Sequence, residues 1–350
     1  MVTTRTDTVS ALPKLLVAFT LFLTLPVWVV HAQEPREHLR DSELLTGQQM
    51  RFAFRDVVRQ STDWTVGILS EGKTVALGTI VGSEGWILTK SSQTNKANQV
   101  QLADGRQFPI QSRSSHQGLD LALLKVDAEH LPVVVWEKQA PELGAWMVTP
   151  GNGASEAVIA IGVLSVPRRS IPRSSAHGYL GVELAREELP RIKRVFPNSG
   201  AFNAGLQEGD VVLMIDEHPI STAEQLVRTL RDYRPGDTLS LRVRRSEEEM
   251  ACSVTLMHPY GDFLSRIAFQ NQMGGELSFR RDNFEAVYQH DSVLTPQDCG
   301  GPVVNLEGLA VGVNIARAGR TESYAIPADL IEDIVDEMKA NLAATSTLSE

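Results

Sequence analysis

Cysteine is scarce in this chain: Cys252 and Cys299 are two residues in 350. Two thiols allow one bridge at most, which excludes a disulfide-stapled scaffold. The two fall in different domains of the chain, so both are expected to be free. A long Lys/Arg block is also missing. Against 33 Lys and Arg stand 43 Asp and Glu, a formal net charge of −10, and that balance argues against nucleic acid as a partner. His31, His38, His130, His177, His218 and His258 are scattered, and no pair has the spacing of a metal site with Cys or carboxylate partners; no metal and no cofactor is expected.

Nor does the chain hold an apolar run of spanning length. Its longest, Leu15–Val30, has 16 residues and contains Pro26, short of the ~20 a membrane helix needs. Arg5 and Lys14 precede it and Val30-His31-Ala32 ends it in a small-residue pattern, so residues 1–32 read as a signal peptide cleaved before Gln33. The alternative is an uncleaved membrane anchor. Either reading puts the rest outside the cytoplasm, periplasmic or secreted. Beyond residue 32 the chain exceeds one average domain of roughly 100–200 residues and suggests two.

The hydrophobic period then organises the chain. Residues 33–62 read as a helical extension, with Met50, Phe54, Val57 and Val58 on one face. From Trp64 the period is that of strands: Thr65–Leu69, Thr74–Val81, Trp86–Leu88, Gln99–Leu102 and Leu121–Val126, with turns such as Asp104-Gly105, as in a barrel or sandwich. Ser221-Thr222-Ala223-Glu224 reads as a capping box opening a helix with Ala223, Leu226, Val227 and Leu230 as its stripe, ended by Pro235-Gly236-Asp237. Leu239–Arg245 and Ala251–Met257 alternate as paired strands. Residues 259–282 are polar and read as a surface linker. After Pro327, Leu330, Ile331, Ile334, Val335 and Met338 make an amphipathic helix, and residues 343–350 read as a frayed tail.

One stretch carries chemistry. Thr295–Asn305 reads T-P-Q-D-C-G-G-P-V-V-N, a Pro- and Gly-rich turn that presents Cys299 just before a strand, where two amides could be aimed at one oxyanion. It resembles the G-N-S-G-G-P nucleophile loop of trypsin-like serine proteases. Val311-Gly312-Val313-Asn314 and Tyr324-Ala325-Ile326-Pro327 are similar to the HtrA (DegP-like) family in particular, as are Gly78-Thr79-Ile80-Val81, Glu84–Gln93 and Asp120-Leu121-Ala122-Leu123-Leu124-Lys125-Val126. Gly178-Tyr179-Leu180-Gly181-Val182, with the segments through Pro219-Ile220, resembles an HtrA-type PDZ domain. Family members carry that domain after the protease domain. Here it precedes the nucleophile loop.

The resemblance implies a mostly β fold: a trypsin-like double β-barrel interrupted by an inserted PDZ domain (α+β), with helices at both ends. The implied protease-like parts are 63–172 and 283–342, and the PDZ domain is 173–258. Insertion at a surface loop leaves the host strands able to pair. By position, Asp120 matches the catalytic aspartate, Ser92 falls where the histidine belongs, and Cys299 replaces the serine. The oxyanion positions are Gln297 and Cys299, with Gln297 in place of a glycine. Tyr179, Leu180, Gly181 and Val182 would hold a peptide carboxylate and pair with the peptide as a strand; the alternative is that the chain's own linker fills the groove.

Acyl transfer needs a base within reach of the nucleophile. A serine hydroxyl accepts no proton near neutral pH, and loss of the histidine costs a serine protease on the order of 10⁶ in turnover. His290 and His116 lie near the site by resemblance, and the plain reading puts His290 in a pocket wall and His116 in an exposed turn. Two functions stay open. One is an exported pseudoprotease that binds peptides or unfolded and terminal segments of exported proteins, as a sensor, scaffold or quality-control partner. The other is an active endopeptidase using Cys299. The resemblance also implies assembly into a trimer.

Overall fold

The computed structural model describes residues 44, 47–153, 157–174, 176–259, 266, 270 and 273–347. The signal segment read at 1–32 lies outside them. Met50, Phe54 and Val57 pack on the first core and Val58 is buried in it, the face expected of them, with the Phe54 ring 5.1 Å from that of Trp146. The regular helix α1 covers only Gln48–Ala53, and turns carry the chain on to Trp64.

Six strands close the first barrel: β1 (Thr65–Ser70), β2 (Lys73–Gly82), β3 (Trp86–Lys90), β4 (Gln99–Gln101), β5 (Gln107–His116) and β6 (Leu121–Val126), in the order 1-2-3-6-5-4. The β1–β2 hairpin turns on Glu71 and Gly72, both at positive φ, the geometry a two-residue turn needs to match strand twist. Strand β5 has no counterpart in the sequence reading. Its residues, Q-F-P-I-Q-S-R-S-S-H, are exposed or half-buried throughout, so the apolar alternation that marks a strand is weak there. His116 ends this strand rather than lying in an exposed turn, and its Nδ1 accepts the Leu119 N–H at 3.2 Å.

The second barrel begins with β7 (Trp146–Pro150) and β8 (Val158–Ile171). The inserted module comes next: β9 (Val182–Leu184), β10 (Ile192–Val195), α2 (Gly200–Asn203), β11 (Val211–Ile215), β12 (His218–Pro219), α3 (Ala223–Leu230), β13 (Thr238–Arg245) and β14 (Glu248–Thr255). Then β15 (Phe284–His290), β16 (Pro302–Val304), β17 (Ala310–Gly319) and β18 (Glu322–Pro327) close the barrel in the order 15-18-17-16-7-8. The two ends of the insertion meet across one strand pair, Ile171 opposite Phe284. An inserted domain with its own core therefore leaves the host strands β8 and β15 paired, with register shifts along their ladder.

That module's core is separate, built on Leu180, Ile192, Val212, Leu226, Leu241 and Val254. Helix α3 is capped one residue later than expected. Thr222 is the N-cap, its Oγ accepting the Gln225 N–H, and the Gln225 Oε1 in turn accepts the Ser221 N–H. The final helix, α4 (Ala328–Thr347), runs into the segment read as a tail, where Ala343 and Ala344 are strong helix formers.

Strand alternation sets up the site. On β3 and β6, Ile87, Ala122 and Leu124 fill the first barrel. The residues between them, Leu88, Leu121 and Leu123, form a second cluster with Val287, Val313, Ile315 and Ile331 on the seam between the barrels. Lys90 shares the face of Leu88, two residues on, and so is directed into that seam.

Candidate functional site

Asp120 immediately precedes β6 at φ 60, a left-handed conformation that aspartate tolerates better than most residues. It is almost fully buried, and Ser92 occupies it twice: the Ser92 N–H donates to Oδ1 and the Ser92 hydroxyl to Oδ2, both at 2.8 Å. Lys90 Nζ, fully buried, lies 3.6 Å from the same Oδ2. The Lys90 ammonium also donates to the Ile315 carbonyl at 2.6 Å and to the Arg280 carbonyl at 3.1 Å, which commits two of its three protons. Lys90 is not among the residues that the resemblance singles out. The available signal was a lysine at the end of the apolar strand Trp86–Thr89, two residues before the position of the missing histidine.

Cys299 comes after a single 3-10 turn, Pro296–Asp298. The carboxylate of Asp298 closes that turn by accepting from Thr295 N and Oγ at 2.7 Å each. The Cys299 N–H donates to the Pro296 carbonyl at 3.2 Å. In this conformation the amide is spent inside its own turn, and Gln297 stands mid-turn with its side chain exposed. Gly300 then sits at φ 96, where a Cβ would come within 2.2 Å of the Leu77 carbonyl. Only glycine fits there, because the loop presses on β2 and on the end of β3.

The thiol is fully buried. It donates to the Thr295 carbonyl at 3.7 Å and lies 3.9 Å from Ser278 Oγ. Burial pushes its pKa up, and the nearby Lys90 charge only partly opposes this, so it is held as a thiol. Ser92 and Asp120 are thus brought together as a bonded pair. The sulfur is engaged elsewhere, with Thr295 and Ser278. His290 lies in β15, completely buried, with both ring nitrogens unbonded. Desolvation lowers its pKa to about 4, and the Asn314 amide opposes that shift.

Part of the segment read as a surface linker belongs to the site. Ser278 is fully buried and Asp282 nearly so, and Ser278 adjoins Cys299. Polar composition suggested solvent here; the polar groups are satisfied instead by the seam and by the inserted module.

The groove of that module, about 290 Å³, lies between Gly178–Val182 and helix α3, with Leu226, Val227 and Leu230 as its apolar wall and His177 and Arg231 also lining it. Tyr179 pairs with Met257. The carbonyls of Leu180 and Gly181 accept from Ala201 and Phe196, so the carbonyl side of this loop is tied inward. Strand β9 pairs with β10 alone among the described strands, leaving one edge for an added strand.

Two closed six-stranded barrels with a nucleophile-type loop at their seam define a protein of trypsin-like fold. The inserted module matches the PDZ domain model over residues 178–256, and the chain is an HtrA-like protein carrying a PDZ domain. It is 30% identical to a probable periplasmic serine endoprotease DegP-like of Hahella chejuensis, over 53% of this chain and 57% of the relative. A DegP-like relative from Halomonas elongata is 22% identical over 54% and 58%. The serine endoprotease DegS of Escherichia coli K12 is 22% identical over 53% and 77%. The chain thus spans less than three-fifths of the length of the two DegP-like relatives. A crystal structure of the serine endoprotease from Yersinia pestis aligns with 59% of this chain and 97% of its own, at 21% identity and a TM-score of 0.28.

Proposed function

We propose that this chain is an exported, catalytically impaired HtrA-like protease that captures peptides or protein termini in its PDZ groove, as a sensor, scaffold or quality-control partner. One arrangement carries the reading: the carboxylate of Asp120, which by likeness should orient an imidazole, is filled by the N–H and O–H of Ser92. The Cys299 thiol bonds to the Thr295 carbonyl instead, and the Lys90 ammonium donates to the Ile315 and Arg280 carbonyls. The apolar groove beside the free edge of β9 supports peptide capture. Relatives named as periplasmic endoproteases and the signal segment at 1–32 support export.

The test has two arms. A fluorescent peptide with an apolar C-terminal residue should bind saturably, and Val227→Glu, which puts a charge on the groove wall, should weaken it at least tenfold. Unfolded casein should survive incubation with the same sample.

A second reading is an endopeptidase using Cys299, to which the nearby Lys90 charge lends a contribution that only partly offsets burial. Casein cleavage abolished by Cys299→Ala would establish it and end the impaired-protease reading.

A further inference from the structure

Residues 277–282, just before β15, lie over the site, and their contacts fall into two sets. Inward, Ser278 takes both main-chain groups of Arg317 on β17: its N–H donates to the Arg317 carbonyl at 2.9 Å, and its Oγ accepts the Arg317 N–H at 3.0 Å. The Arg280 carbonyl accepts from Lys90. The Arg280 guanidinium donates to the carbonyls of Gly118 at 2.7 Å and of Gln117, and stacks over Phe284. Outward, the PDZ turn between α3 and β13 grips the segment with two mostly buried ion pairs, Arg281 to Asp237 and Arg234 to Asp282, each at 2.6 Å. The Phe279 ring meets that of Tyr233 edge-on.

An extended polypeptide added along β17 would need the Arg317 N–H and C=O that Ser278 holds. Ser278 also lies against the Cys299 sulfur. Because Arg317 N–H is met by a side-chain oxygen and not by a carbonyl, the segment does not lie in strand register. It blocks the edge without mimicking a bound strand.

We propose that residues 277–282 form an autoinhibitory strap: they occupy the polypeptide-accepting edge of β17, seal Cys299 from solvent, and are latched in place by the PDZ domain through Asp237 and Arg234. This rests on reading the seam as the remnant of a peptidase cleft and adds its regulation. Cutting the latch should expose the thiol while both barrels and the PDZ domain stay folded.

The experiment uses the full chain in a Cys252→Ser background, so that Cys299 is the remaining thiol. Its modification by iodoacetamide should be slow, and Arg281→Ala with Asp282→Ala should accelerate it at least tenfold without lowering the melting temperature to the assay range. A rate within twofold of the parent would overturn the strap, and so would unfolding-limited modification of both proteins. Should the double variant not fold, Ser278→Cys serves instead. With diamide as oxidant it should form a disulfide to Cys299, seen as a cross-linked peptide by mass spectrometry, and absence of that cross-link sinks the proposal. Neither readout depends on peptide binding or on casein. A failed strap leaves the proposed function standing, and a failed peptide titration leaves the strap standing.

Discussion

Lys90 Nζ lies 3.6 Å from Asp120 Oδ2, and both side chains are buried between the barrels. The site thus retains a buried carboxylate and surrounds it with a lysine and a serine. A buried charge that loses its partner is strongly destabilising, while replacing the whole pair by apolar groups is often tolerated.

Lys90→Met should therefore destabilise the chain by about 3 kcal/mol, and adding Asp120→Asn should recover part of that loss. Urea denaturation of the two single variants and the double variant measures the coupling. Additive losses would mean that the ion pair carries no weight.

Ser92→His should not restore proteolysis. The Cys299 thiol donates to the Thr295 carbonyl and its amide to the Pro296 carbonyl, and an imidazole at position 92 frees neither. A casein digest with the Ser92→His chain is the measurement, and the expected outcome is intact casein. Ser92→Ala, which removes one charge-assisted bond to Asp120, should cost about 2 kcal/mol of stability.

Acid should weaken the fold through His290. Its folded pKa of about 4 lies below the ordinary 6.5, so on acidification the unfolded chain takes up a proton first. Stability attributable to this residue is full above pH 6.5, falls between 6.5 and 4, and levels off below that, a loss of roughly 3 kcal/mol at most. His290→Leu should flatten the denaturation midpoint over that window relative to the parent.

Gly300→Ala should be among the most damaging single changes in the site, on the order of 3 kcal/mol. The added methyl meets the Leu77 carbonyl and the Thr89 hydroxyl at a positive φ. Ala343→Gly, in the exposed last turns of α4, should cost no more than about 1 kcal/mol. Thermal melts of the two proteins make the comparison.

What the amino-acid sequence determined is whatever short-range pattern can encode. The apolar run Leu121–Val126 announces a strand, the Gly-rich turn before Val303 announces the nucleophile loop, and the stripe of α3 announces its helix, because apolar patterning and turn chemistry are local properties. The insertion was legible for the same reason: its motifs arrive in order between two halves of a barrel. Tertiary structure decided the rest. Strand β5 has too little apolar alternation to declare itself and exists because β4 and β6 offer it hydrogen-bonding edges. Lys90 looks like a surface residue until Ile315, Arg280 and Asp120, all remote in sequence, converge on its ammonium. The polar residues 277–282 read as solvated because their partners lie on β17 and on the PDZ turn. Burial of a charge or a thiol depends on which distant groups close over it, and that is settled only when the chain has folded.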